Sequence, residues 1–286
     1  MDAIDSLDRA EIVAVTSRNI HRARKAMRGR SSAAYGDLDD MLDKQRPDAV
    51  FVCVPPYAAP TICLKLAQKD VPFLVEKPVA ALDRELASQV GDEVECRGLV
   101  AAVGYHLRGL EFLDIVRESI RRDPPELIIA RWTGGEPKSE WWSIPELSGG
   151  QVIEQMTHLY DLARVLAGEA EVIAAASLAG STSALLRFRS GVMGVFVNSH
   201  HAHETRIAFE VVRGATITLD PARKEWALVR DGASTRPQRN PYAVQAAAFL
   251  DAIETRSPGR VLATYRDGLA THLLTLQVAA AAKRAQ

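Results

Sequence analysis

The feature that most narrows the fold is a rhythm. Short apolar runs, AVFVCV at 49–54, FLV at 73–75 and LVAAV at 99–103, recur with helix-length amphipathic segments between them. Runs this short and this uniformly apolar suit strands buried on both faces, which occur in parallel sheets covered by helices. An earlier strand, EIVAVT at 11–16, leads into a helix over 19–27 with Asn19 or Ser17 as its N-cap. Leu38, Met41 and Leu42 mark a helix over 37–44, and further helices at 60–69 and 83–93 complete the alternation. The pattern predicts α/β architecture, with a doubly wound parallel sheet over residues 1–104.

From Tyr105 onward the pattern changes. A helix at 110–121 and a strand at 126–132 precede a helix that opens at Gly149-Gly150 and ends near Gly168. Short strands then follow at 172–178, 183–189, 194–200, 206–212, 215–219 and 225–230, separated by turn residues. This succession predicts an α+β domain over 105–286 with a mixed or antiparallel sheet. Terminal helices are expected at 241–255 and 267–283, the last one packing back on the first domain.

The bulk numbers bound the function. A length of 286 residues supports two domains with cores of their own, and a formal net charge of -1 with no basic run argues against a nucleic-acid or membrane-surface partner. The acidic opening, MDAIDSLDRAEI, has no apolar core segment, so no secretory leader is expected, and no apolar run is long enough to span a bilayer. Cys53, Cys63 and Cys96 read as reduced thiols of a cytoplasmic protein, with Cys53 packed inertly in its strand.

Two stretches carry chemistry. Glu76-Lys77-Pro78 follows directly on the buried run Phe73-Leu74-Val75, and ligands of open α/β sheets sit at the carboxyl ends of strands. Pro78 stops the ladder there because it has no N–H to give. The second stretch is Ser148-Gly149-Gly150-Gln151 with Glu154, His158 and Asp161 at relative positions 0, 4 and 7 of the following helix. On one continuous helix those three side chains share a narrow face, and a histidine flanked by carboxylates can have its tautomer fixed and its basicity raised. Ordinary readings stand beside these: a solvated strand end for Lys77, a packed core histidine for His158.

These motifs, in this order and with a βα pattern between them, resemble the Gfo/Idh/MocA family, and the likeness runs from about residue 11 to the C-terminus. The resemblance implies a Rossmann-like dinucleotide-binding domain followed by a mixed-sheet domain, and a nicotinamide-dependent oxidoreductase acting on a sugar or polyol hydroxyl. Lys77 and His158 match the catalytic set, with Glu154 where relatives more commonly carry Asp and Asp161 as a possible orienter or relay. Thr16, Ser17 and Arg18 end the first visible strand, and an Arg there suits the 2′-phosphate of NADP rather than NAD. Pro55 and Pro56, with Glu76 and Lys77, match the turns beside the nicotinamide, although Ala59 stands where many relatives carry a His.

Tyr105, His106 and Arg108, at the domain junction, and Trp141 and Trp142, whose faces suit a pyranose, are candidate substrate contacts. A homo-oligomer formed through the second sheet is expected by analogy with the family. No metal is expected: His201 and His203 share a strand face near His200, but no neighbouring carboxylate completes a site.

One departure stands out. The chain has no Gly-x-Gly-x-x-Gly turn, and its first twelve residues resemble the end of the family's first helix. Either the recorded start lies too late or the strands flanking the absent one have closed up. A cofactor-free relative, acting as a binding subunit or in proton transfer, is the alternative this departure raises.

Overall fold

A computed structural model describes residues 2–212, 215–220 and 225–285. Its first part runs β1 (Ala14–Thr16), α1 (Ile20–Ala26), β2 (Ala33–Tyr35), α2 (Leu38–Gln45), β3 (Val50–Val52), α3 (Ala59–Gln68), β4 (Phe73–Val75), α4 (Arg84–Cys96) and β5 (Ala101–Val103). The helices start where sequence chemistry sets them: Asn19, Asp37 and Asp83 each accept a backbone N–H of the first turn through a side-chain oxygen. Cys53 corrects an expectation, being exposed beyond β3, while Cys63 on α3 is the buried thiol.

The strands are parallel, as their apolar runs imply, but they form two ladders. β1 pairs with β2, and β3, β4 and β5 pair in that order. Residues of both groups pack on one core that includes Val52, Phe73, Val75 and Val103, with Ala14 and Tyr35 against it. Among the described residues β1 and β3 share no ladder, so the two strands have not closed up on each other.

A 3-10 turn (His106–Gly109) and α5 (Leu113–Arg122) lead into the second sheet, which has β6 (Leu127–Thr133) near its centre. Two helical pieces follow, α6 (Gly150–Glu154) and α7 (Thr157–Ala167), then β7 (Ala170–Leu178), β8 (Ser181–Phe188), β9 (Met193–Ser199), β10 (Arg206–Val211), β11 (Thr216–Asp220), β12 (Glu225–Arg230) and β13 (Ala233–Thr235). The spatial order is β13-β12-β11-β10-β6-β9-β8-β7, mixed because β6 and β9 run parallel while the other neighbours are antiparallel. β13 escapes sequence reading because its three residues are all exposed and carry no apolar alternation.

Helices α8 (Pro241–Glu254) and α9 (Tyr265–Arg284) close the chain. α9 opens on a capping box between Thr264 and Asp267 and packs on β5 and α4 as well as on α7, β7 and β8. Its approach to β5 is close enough that a Cβ on Gly268 would stand 2.4 Å from Val103 Cγ2. No helix among the described residues is long and apolar enough to cross a membrane.

Candidate active site

The helix expected to run unbroken through 150–167 is interrupted, and the interruption builds the site. In a continuous α-helix the His158 N–H would bond the Glu154 carbonyl. Instead it donates to the Gln155 carbonyl at 3.3 Å, while the Met156 N–H reaches back to Gln151 at 3.0 Å. The freed Glu154 carbonyl accepts from Lys77 Nζ at 2.8 Å, and Glu154 Oε1 accepts from the same ammonium at 2.7 Å. Trp142 Nε1 donates to the other oxygen, Oε2, at 3.0 Å. Lys77 and Glu154 side chains are only 15% and 14% exposed, so their pairing is shielded from water on most sides.

Lys77 follows β4 and is joined to Pro78 by a cis peptide bond. Beside it, burial holds the Glu76 carboxyl above the ordinary carboxylate range against the opposing pull of Lys77, and the Glu154 charge pushes the same way as burial. A Cβ on Gly104, at the end of β5, would stand 2.9 Å from Glu76 Oε2, so only glycine leaves this carboxyl its place.

His158 is 5% exposed, and its Nδ1 is buried without a hydrogen-bond partner. The sequence-based expectation that Glu154 and Asp161 flank it is therefore corrected. Glu154 turns to Lys77, and Asp161 is held by Arg108 through Nε at 2.8 Å and Nη2 at 2.6 Å, with the Thr271 hydroxyl at 3.1 Å. The break separates Glu154 on α6 from His158 and Asp161 on α7.

What surrounds His158 is aromatic. The His106 ring lies edge-on at 4.7 Å, Tyr105 edge-on at 6.0 Å, and Trp132 of β6 stacks at 6.1 Å. His106 in turn stacks on Tyr242 of α8 at 4.3 Å. Burial drives the His158 imidazole well below its usual pKa and pushes that of His106 down to about 3, and the Lys77 charge acts the same way on both. Both rings are thus neutral near pH 7, and the ammonium that affects them belongs to the same cleft.

The other expected contacts divide. Tyr105 is fully buried and bonds the Thr157 hydroxyl at 2.6 Å, and Arg108 joins the Leu262 carbonyl at 2.9 Å besides Asp161, so both brace the floor rather than face a ligand. Trp142 holds Glu154, while Trp141 is half-buried one residue before it. Trp132 and Tyr242 went unread because nothing in an isolated aromatic residue marks it for a cleft rather than a core.

Also past the carboxyl ends of the parallel strands, the guanidinium of Arg18 bonds the Tyr57 hydroxyl and lies 5.6 Å from its ring centre. Thr16 ends β1, Ser17 N–H continues the ladder to the Tyr35 carbonyl at 3.1 Å, and Pro55-Pro56 turn the chain from β3 into α3. The contact brings the carboxyl ends of β1 and β3 together.

A further cluster lies at the ends of β6 and β9. Ligand-type atoms of Glu136, His200 and His201 all fall within 4.8 Å of one another, so the carboxylate that sequence spacing did not supply comes from the loop after β6.

The family models match both parts: an oxidoreductase family with an NAD-binding Rossmann fold over residues 2–105, and a GFO/IDH/MocA C-terminal domain over 125–215. The chain belongs to the Gfo/Idh/MocA oxidoreductases. It is 25% identical over 228 residues to a myo-inositol 2-dehydrogenase of Thermotoga maritima, covering 73% of this chain and 67% of that protein. One curated relative is matched over only 38% of its own length.

Among solved structures, a UDP-N-acetylglucosamine 3-dehydrogenase from Acidithiobacillus ferrooxidans superposes with a TM-score of 0.79 at 20% identity, over 96% of this chain and 90% of that one. A 3-ketoreductase from Actinomadura kijaniata, in complex with NADP and TDP-benzene, gives 0.81 at 18% identity over 98% and 92%. At these identities the structures speak for the fold.

The family binds NAD(P), and two cations of this chain fit such a dinucleotide. Lys77 follows β4 and Arg18 follows β1, both past the carboxyl ends of parallel strands. Among the described residues no glycine-rich turn is present, and β1 and β3 share no ladder.

Proposed function

We propose that this protein moves reducing equivalents between NADP and a hydroxyl-bearing carbon of a sugar or polyol, in the cleft between Lys77 and His158. The observation that carries this reading is the meeting of an ammonium, fixed by two acceptors of Glu154, with a neutral buried imidazole on the next helical turn. A bound nicotinamide would supply the hydride. Lys77 orients the substrate oxygen and stabilises negative charge that develops on it. His158 is neutral, so it can accept the hydroxyl proton, and its buried Nδ1 leaves Nε2 as the nitrogen that meets substrate.

Glu154 is a positioning residue for Lys77. His106, Trp132 and Tyr242 exclude water around the imidazole and offer faces to the C–H side of a ring sugar. Arg18 supports NADP over NAD, since a guanidinium pairs with a 2′-phosphate and repels nothing there. Myo-inositol and UDP-sugar dehydrogenases among the similar proteins support the substrate class.

The unjoined ladders favour a second reading, in which Lys77 and His158 act without a nucleotide, as a binding site or in proton transfer. Fluorescence titration of the 286-residue chain with NADPH separates the two. Saturable binding, weakened by Arg18→Ala more for NADPH than for NADH, is expected; no binding at millimolar NADPH removes the dehydrogenase reading for this chain.

A further inference from the structure

The ends of β6 and β9 hold a second constellation that the Lys77–His158 cleft does not use. The two strands run parallel in register, Thr133 opposite Ser199, and the pairing continues past them: Gly134 N–H donates to the Ser199 carbonyl at 3.0 Å and Ala202 N–H to the Gly134 carbonyl at 3.1 Å. Two loops stapled together in this way carry Glu136 on one side and His200 and His201 on the other.

The spacing of their donors is what decides. Glu136 Oε1 lies 3.4 Å from His200 Nε2, beyond a good hydrogen bond, and the imidazoles of His200 and His201 lie 4.3 Å apart centre to centre. Ligand atoms placed tetrahedrally at about 2.0–2.1 Å from a cation stand about 3.3 Å from one another. The Glu136–His200 gap is thus one that a tetrahedral cation would span. A Cβ on Gly180, in the β7–β8 turn, would stand 2.3 Å from His201 Nε2 and 2.8 Å from His200 Cε1, so the turn packs directly on both rings.

We propose that Glu136, His200 and His201 bind one borderline divalent cation of the zinc type, with a remaining position open to water. The donor set selects the class: imidazole nitrogens with one carboxylate suit zinc and its first-row neighbours, whereas magnesium and calcium take oxygen. His203 is exposed and takes no part in the cluster, although the alternation of a strand would have put it beside His201. His200 Nδ1 is buried without an acceptor to fix its tautomer, so affinity on the order of micromolar is expected, weaker than in structural zinc sites. His200 also lies edge-on to Trp142 at 5.5 Å, and Trp142 holds Glu154, so the ion borders the cleft that contains Lys77. This inference stands whether or not the protein uses a nucleotide.

The test is optical. The full chain, free of any affinity tag and stripped with EDTA, is titrated with Co²⁺ and its visible d–d absorption followed. One equivalent should bind, be displaced by Zn²⁺, and bind at least about ten-fold more weakly in Glu136→Gln and in His201→Ala, while His203→Ala matches the parent. Glu136 and His201 are exposed, so both variants should keep the parent far-UV circular dichroism. Absence of saturation below millimolar Co²⁺, unchanged affinity in both ligand variants, or loss of binding in His203→Ala would each overturn the site.

Discussion

Lys77 and Asp161 each belong to a pair of opposite charges shielded from water, yet their surroundings assign them different work. The Lys77 ammonium sits at the mouth of an aromatic cleft and depresses the basicity of two imidazoles. Asp161 is 1% exposed and locked to Arg108 and Thr271. Lys77→Ala should therefore cut turnover by about a hundred-fold or more, as expected when charge stabilisation at a reacting oxygen is lost, and should lower the thermal midpoint as well, because the shielded Glu154 carboxylate keeps only Trp142 as a partner. Asp161→Asn should differ in keeping the turnover of its folded fraction, while costing up to about 3 kcal/mol of stability by leaving Arg108 with Asp267, at 3.4 Å, as its remaining carboxylate. Steady-state rates with NADPH and a panel of keto-sugars, beside urea denaturation of both variants, check the contrast. Equal stability losses with equal rate losses would show that the two pairs are not separable. Lys77 and His158 could be singled out from sequence because each sits in a recognisable motif. Glu154, Asp161 and Arg108 were candidates too, but their pairings were not legible: Glu154 meets Lys77 across 77 residues and Arg108 meets Asp161 across 53, and no local pattern encodes such contacts.

At the scale of elements, legibility followed burial. The buried runs at Val50–Val52, Phe73–Val75 and Ala101–Val103 and the amphipathic helices between them announce themselves by periodicity. The break between α6 and α7 did not, since Gln155 and Met156 are ordinary helix formers and tertiary pull from Lys77 on the Glu154 carbonyl is invisible locally. The packing of the last helix on the first domain was expected, but the residues of α9 that meet β5 were not legible. There Gly268 lies so near Val103 that alanine must overlap its side chain. Alanine in a helix gains about 1 kcal/mol over glycine, and overpacking a tight core contact costs about 1–3 kcal/mol. Overpacking should win, so Gly268→Ala lowers the thermal midpoint, and adding Val103→Ala should recover part of the loss by opening the space. A rise in midpoint for Gly268→Ala alone would mean that α9 does not press on β5 this closely.

Across the whole molecule, the buried link from Lys77 to Glu154 joins the halves, and the side that carries His158 is braced from within by Tyr105 to Thr157 and by Arg164 of α7 to Thr271 of α9 at 2.6 Å. The same burial makes the assembly sensitive to acid. His106 is held down to about 3 and His272, on α9 with both ring nitrogens unpartnered, down to about 4, with burial the leading cause in each, and burial also drives His158 well below its usual value. In the unfolded chain these rings titrate near about 6.5. Below that pH the unfolded state takes up protons that the folded state refuses, so unfolding free energy is full above about pH 6.5 and falls as pH drops toward the folded values. Each ring contributes at most about 1.4 kcal/mol per pH unit. Glu76, raised by burial, works in the opposite direction and offsets part of this loss, so the net decline between pH 6 and 5 is shallower than the three rings alone would give. Denaturant midpoints measured at pH 7.5, 6 and 5 should decline accordingly with an unchanged m-value, and His272→Leu, which removes one of the rings from a site that gives it no hydrogen bond, should flatten the decline. Midpoints that hold constant from pH 7.5 to 5 would mean that these imidazoles accept protons as readily in the folded protein as in the unfolded chain, and that the cleft around His158 is open to water.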